Sequence, residues 1–496
     1  MQLVLINPNL VVQKNDPFTT GIVYMPVSLA YVAAALRTDG HQVTVIDAFG
    51  ACPNRVRRDR GFVLFGLNEQ QVIDRLPPEA EALFVYAINL TNHVSTIALV
   101  RAVKRAKPHL PLVVLENTQA VTAYALREVA EDFYEAGADF ILTGEADRRA
   151  GQLVKLLETS ASSAQLAALD GLGSRAFYQP PNATMADLDA LPFPAWDLFP
   201  LEQYWGLRHA HGPLQTDRYL PLLTSRGCPY PCRFCVIPAT NAQRWRARSA
   251  QNVVEEIKTY SARFGVTEFH IEDVNPTISD ERIRALCQRL REARLQVIWK
   301  IAAGTKVESL RNEDTIDLMA QAGCRYISIS PETGSERILK LIQKPFDLAH
   351  AIRVVRRMHT VGIFSQACFV LGFPGEEDAD RQATWNMVHE LTKVGVDEIA
   401  LFIITPVPGS AIHSQFSGYA HLSQLNFSPT WRADYRALNR FRLRLYGQFL
   451  GWKLRYHPGK LARQPINFLR RRFDTKMEMV PYRAWQTIWR SAWTAS

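Results

Sequence analysis

Cysteine is scarce in this chain, with seven in 496 residues. Seven scattered thiols in a chain of this length argue against a disulfide framework. Long apolar runs are also missing: none approaches the roughly 18 residues of a membrane-spanning helix. The opening stretch, Met1 to Leu10, lacks the basic region and small-residue cleavage site of a secretory signal. It reads as a buried strand that opens a domain. These absences point to a cytoplasmic protein, in which clustered cysteines serve a metal or catalysis. Hydrophobic residues make up 47% of the chain, aromatics 10% and charged residues 21%, which excludes wholesale disorder. The length predicts about three domains.

The net charge of +9 is unevenly spread. Between Trp431 and Ser496 fifteen Lys or Arg face three acids, a net of +12, which leaves the rest of the chain at −3. Aromatic residues such as Trp452, Trp485 and Trp489 interleave with these basic residues. Such a tail suits amphipathic helices packed on a core, or peripheral contact with the inner membrane surface. No nucleic-acid motif accompanies it, so no nucleic-acid partner is expected.

Residues 1–155 alternate apolar runs (3–7, 42–47, 82–89, 112–117 and 139–145) with helical patterns such as Val27–Thr38 and Ile97–Lys107. That alternation predicts a doubly wound parallel sheet whose ligands lie beyond the carboxyl ends of the strands. Residues 156–215 are rich in Ala and Ser and then in Pro, and read as a connector with turns. A second alternating series starts near Tyr219. Its apolar runs are 219–225, 268–273, 296–302, 326–332, 365–372 and 398–406. Six strand-helix units predict a partial (β/α)6 barrel over 216–410, with its functional residues at the strand ends. Residues 411–496 form a mainly helical, basic and aromatic region. The fold class is α/β.

The strongest signal is TSRGCPYPCRFCVIP, which spaces Cys228, Cys232 and Cys235 as CxxxCxxC directly after the first strand of the second series. Chance would give this spacing about once in a thousand such chains. Three thiolates on one loop can hold three irons of a [4Fe–4S] cluster and leave the fourth open to a small molecule. A structural zinc would need a fourth ligand, and no second cysteine or histidine pair lies nearby. Cys287, Cys324 and Cys368 read as small buried hydrophobes, and Cys52 as incidental.

These residues resemble the radical S-adenosylmethionine (SAM) superfamily. There, CxxxCxxC binds a [4Fe–4S] cluster whose open iron chelates SAM, and reduction yields a 5′-deoxyadenosyl radical that abstracts hydrogen from substrate. Phe234 matches the aromatic residue before the third cysteine. HIEDVNPT (270–277) resembles the second-strand motif, which implies that Glu272 and Asp273 lie near the methionyl amino group. SPETGSERIL (330–339) resembles the fourth-strand segment and implies Ser330 and Glu332 near the ribose or carboxylate. FVLGFPGEE (369–377) resembles the glycine motif at which backbone approaches adenine, here Gly372. TPVPGS (405–410) ends the barrel as in this group.

A doubly wound domain ahead of such a barrel resembles the cobalamin-binding class of radical SAM enzymes. INPN (6–9), residues 25–48 and ADFILTGEAD (138–147) carry that resemblance. It implies cobalamin at the strand ends, beside Asn7, Tyr86, Asn89, Glu116, Gly144 and Glu145. Asp39-Gly40-His41 lacks the glycine and the position of an axial-histidine motif, so cobalt would carry no protein histidine. Glu116-Asn117-Thr118-Gln119 stands where the class often has a glycine-rich segment; the alternative is a domain that kept the fold and lost the cofactor. The resemblance implies a C-methyltransferase acting on an unactivated carbon. One SAM methylates cobalamin and a second yields the radical. The expected partners are an organic substrate (lipid, isoprenoid, tetrapyrrole or secondary metabolite) and a one-electron reductant of flavodoxin or ferredoxin type. Radical cyclisation, rearrangement or carbon–carbon coupling on the same scaffold is the alternative, and a corrinoid or redox carrier a weaker one.

Overall fold

A computed structural model of the chain describes residues 1–493 other than 15, 17, 60, 183 and 345, without the side chains of 490–493. The last three residues of the basic tail therefore lie outside the described residues.

Six runs in the first third of the chain form one sheet. They are β1 (Gln2–Asn7), β2 (Gln42–Asp47), β3 (Ala82–Ala87), β4 (Leu112–Glu116), β5 (Phe140–Leu142) and β6 (Leu172–Gly173). The order is β2-β1-β3-β4-β5-β6, with all neighbours parallel except β6, which runs antiparallel to β5. Every residue of β3 and β4 is buried, as expected of strands covered on both faces. The alternation along β1 divides the two cores. Leu3 and Leu5 join helices Val27–Thr38 and Ala146–Glu158, while Val4 and Ile6 join helix His93–Ala106. Two features escape the sequence pattern. β6 comes from the segment read as a connector. Leu10–Gln13, Phe62–Phe65 and Val56–Asp59 form a small antiparallel sheet. Two-residue β6 is too short to carry a period, and Arg57-Arg58-Asp59 has no apolar face.

The second series forms β7 (Tyr219–Leu222), β8 (Glu268–Ile271), β9 (Ile298–Thr305), β10 (Cys324–Glu332), β11 (Phe364–Leu371) and β12 (Glu398–Ile403). These strands are parallel and pair in sequential order, which is the predicted (β/α)6 arrangement. The helices between them are punctuated locally. Ser249, Ser279, Ser335 and Asp347 cap N-termini with their side chains, and Gly265 and Gly362 end helices in the left-handed conformation. At the starting ends of the strands, Glu268 is fully buried. It accepts from Lys300 Nζ (2.7 Å), His270 Nε2 (2.9 Å) and the backbone N–H groups of Gln215 and Thr216 (3.0 and 2.8 Å). Such a network at the foot of a barrel serves stability.

Three helices close the chain, Tyr435–Tyr456, Pro458–Arg470 and Lys476–Trp493. The first packs into the main core through Leu445 and Phe449. Among the described residues, no helix is long and apolar enough to cross a membrane. The two sheets are joined by buried ion pairs. Arg226 reaches both oxygens of Asp147 (2.5 and 3.1 Å), and Arg246 reaches both of Glu145 (2.5 and 2.9 Å). Asn241 Nδ2 donates to the Thr118 carbonyl (3.0 Å) and Ala125 N–H to the Pro408 carbonyl (3.0 Å), which holds the loop after β4 over the barrel mouth.

Candidate active site

The cysteine loop leaves β7 through a turn that its sequence makes obligatory. Gly227 has φ +78°, and a Cβ there would lie 2.0 Å from the Arg244 carbonyl oxygen. Asp273 sits behind this turn, fully buried. It accepts from Thr224 N–H (2.7 Å), Thr224 Oγ1 (2.6 Å) and Ser225 Oγ (2.6 Å). Its expected place was beside the SAM amino group, but these bonds engage it in fixing the loop that carries the thiols.

Cys228, Cys232 and Cys235 line one cavity of about 200 Å³ together with Phe234, Ser330 and Glu332. Burial pushes the Cys232 thiol up to about 11 and Cys235 up to about 12. Ligation by metal displaces those protons. Among the described residues, no three ligating side chains converge as a single ion would require. A cubane, with one iron per thiolate, asks for a wider set, and three thiols facing one cavity fit it. Two lysines that no sequence motif marks, Lys306 and Lys344, share the cavity. Lys344 pairs with Glu332, and Lys306 lies 4.0 Å from the Tyr230 ring centroid. Lys306 also pairs with Glu308 (3.4 Å), so each lysine beside the thiols is matched by a carboxylate. No spacing signals them, because a lysine after a strand is ordinarily solvated.

The other expected residues divide. Phe234 packs edge-on against Phe373 (5.5 Å between centroids). Glu332 holds φ +65°, a strained conformation for a non-glycine residue at the end of β10. Glu272 lies in a neighbouring cavity of about 100 Å³, shared with Tyr86, Asn89 and Asn117. Its Oε2 is 2.6 Å from His211 Nδ1, and burial holds that imidazole below its ordinary pKa. Gly372 has φ +79°, and a Cβ there would meet Leu438 Cδ1 at 2.5 Å. Its carbonyl accepts from Arg432 (3.0 Å), so the close approach it permits is to the C-terminal region.

In the first sheet, Tyr86 and Asn89 face the small cavity. Asn7 is buried and donates to Asp47 (2.8 Å), which also accepts from the Tyr204 hydroxyl (2.7 Å). Glu116 accepts from Leu126 N–H (2.6 Å) and Gly144 N–H (2.5 Å), and burial pushes its carboxyl up to about 7. Glu116 and Gly144 thus tie together the loops after β4 and β5, while Glu145 belongs to the ion pairs between the sheets. The loop after β4 lines the small cavity from Asn117 and from Gln119 to Thr122; the buried Gln119 Oε1 has no hydrogen-bond partner among the described residues, and Val121 is 51% exposed.

Val121 and Ala303 are the meeting point. Both line the cysteine cavity, the small cavity and a third of about 590 Å³ between β11, β12 and helix Lys476–Trp493. The carboxyl ends of both sheets therefore open on one chamber.

Residues 222–388 match the Radical SAM superfamily. Those residues carry a radical SAM domain, which marks the chain as an enzyme and implies a [4Fe–4S] cluster and SAM. Its fold is that of the cobalamin-dependent members. It matches the radical SAM methyltransferase TsrM from Kitasatospora setae, solved with cobalamin and a [4Fe–4S] cluster bound. The TM-score is 0.63 at 17% identity, over 84% of this chain and 77% of that one. In sequence it is similar to cytidylyl-2-hydroxyethylphosphonate methyltransferase from Streptomyces wedmorensis, 26% identical over 83% of this chain and 80% of that protein. It is also similar to anaerobic magnesium-protoporphyrin IX monomethyl ester cyclase from Synechocystis sp., 24% identical over 77% of this chain and 70% of that protein.

Proposed function

We propose that this chain is a cobalamin-dependent radical SAM methyltransferase acting on an unactivated carbon. The observation that carries the reading is the common chamber, in which three thiols, the strand ends of the first sheet and the largest cavity meet at Val121 and Ala303. In this reading Cys228, Cys232 and Cys235 hold three irons, and Ser330 and Glu332 border SAM at the fourth. Tyr86, Asn89 and Gln119 border cobalamin. When bound, these groups supply the electron, the hydrogen-abstracting radical and the methyl carrier. The chain supplies positioning and exclusion. Asp273 fixes the cluster's loop, and Val121, Ala303 and Val274 keep the junction apolar. The domain limits at about residues 155, 215 and 410 follow from the same reading.

The test is anaerobic incubation of the iron-loaded chain with SAM and a flavodoxin- or ferredoxin-type reductant. 5′-Deoxyadenosine should form, and should be lost in Cys235→Ala. A chain holding about four irons that forms none would contradict the reading. A second reading, radical cyclisation or coupling, is favoured by the cyclase similarity and by the side chains at Glu116–Gln119.

The finer proposal is a lipid-like or tetrapyrrole substrate taken at an anionic membrane surface. Its support is exposed Ile466, Leu469 and Trp485 on basic helices. Removing everything after residue 430 would also remove core residues Leu445 and Phe449. The better test is Trp485→Ser with Leu469→Ser, which should weaken binding to phosphatidylglycerol vesicles several-fold. Failure of the intact chain to bind them would end the idea.

A further inference from the structure

The largest cavity, about 590 Å³, has walls that include Leu401, Phe402, Phe427 and Met479. Arg442, Lys476 and Arg483 of the C-terminal helices also line it. Arg483 is 3% exposed and makes no ion pair among the described residues. Its Nη2 donates to the Phe18 carbonyl (2.7 Å), and its buried Nε has no partner among the described residues. Among the described residues, the Lys476 ammonium hydrogen-bonds only to neutral groups, the Ala302 carbonyl (2.8 Å) and His211 Nε2 (3.3 Å). The acids of the wall are engaged elsewhere. Glu398 accepts from the Tyr326 hydroxyl and from the backbone N–H groups of Lys476 (3.1 Å) and Met477 (2.5 Å). Asp16 accepts from the hydroxyl and backbone N–H of Thr19. Burial pushes Lys476 below its ordinary pKa and Arg483 down to about 10, and it outweighs the pull of Glu398 and Glu272 on the one and of Asp16 on the other.

A buried guanidinium that makes no ion pair is unfavourable, and one that lines a cavity with an unpaired N–H is suited to an anion placed there. Resting on the radical SAM reading above, we propose that this cavity is the substrate site, and that the substrate is an amphiphile whose carboxylate or phosphate is held by Arg483 and Lys476. Its apolar body then runs along Leu401, Phe402 and Phe427 toward Cys368 and Ala303, where the cavity joins the cysteine chamber.

The test is calorimetric titration of the full, iron-loaded chain with octyl phosphate, octanoate and octanol. One anionic probe should bind per chain, at least about ten-fold more tightly than octanol. The tighter of the two anions identifies the head group. Arg483→Gln and Lys476→Gln should each remove the preference while SAM binding persists, and Arg483→Lys should keep most of it. Octanol binding as well as the anions, or a preference unchanged in both glutamine variants, would overturn the proposal. No turnover is read, so a failure of methyl transfer and a failure of this site are separable.

Discussion

Cys228, Cys232 and Cys235 each stand on the same loop, and each thiolate would hold its own iron. Alanine at any one should lower iron below about four per chain and abolish the cluster's visible absorbance, with far-ultraviolet circular dichroism unchanged. Asp273 works one layer behind. Asp273→Ala leaves three buried donors without an acceptor and should cost about 2–4 kcal/mol, with Asp273→Asn recovering part, as read by urea unfolding. Glu268 sets an acid limit. Burial alone would raise its carboxyl, but Lys300 and His270 outweigh burial and hold it at about 2 against an ordinary 4.5. Its contribution is therefore present above pH 4.5 and lost as pH falls toward 2, on the order of 3 kcal/mol. Glu268→Gln should be less stable at neutral pH and flat through that acid window. The thiols were legible because three scarce residues in a fixed spacing rarely arise by chance. Lys306, Lys344 and Arg483 were not, because a basic residue in a loop or helix reads as solvated until the fold buries it.

Strands and helices were legible where they carried a long period. Val27–Thr38 and β2 fall on their predicted limits, and the remaining predicted strands of both sheets differ only at their ends. The ends differ because a strand's ladder stops where its neighbour's does, which no single segment encodes. β6 is two residues long and exists because β5 offers it an edge. Glu116 ends β4 and Gly144 and Glu145 follow β5, yet their bonding partners lie across loops and across the other sheet. The ion pairs joining the sheets give a prediction at this scale. Glu145→Ala leaves Arg246 buried without its carboxylate and should cost about 3–5 kcal/mol. Limited proteolysis should then cut the connector faster, while the starting ends of the barrel stay protected.

At the scale of the whole molecule, the meaning of the fold is convergence. Two parallel sheets point their carboxyl ends at one chamber, and the C-terminal helices close its third side with Lys476 and Arg483. The order of elements predicted that both sheets would present strand ends, but not that a tail read as basic and aromatic would supply a cavity wall. Whether the first sheet holds cobalamin beside the cluster is read from corrinoid content per four-iron cluster after anaerobic purification from cobalamin-fed cells. A ratio of about one is expected. A full complement of iron with no corrinoid, even after feeding, would contradict it and leave radical cyclisation or coupling as the chemistry of this chamber.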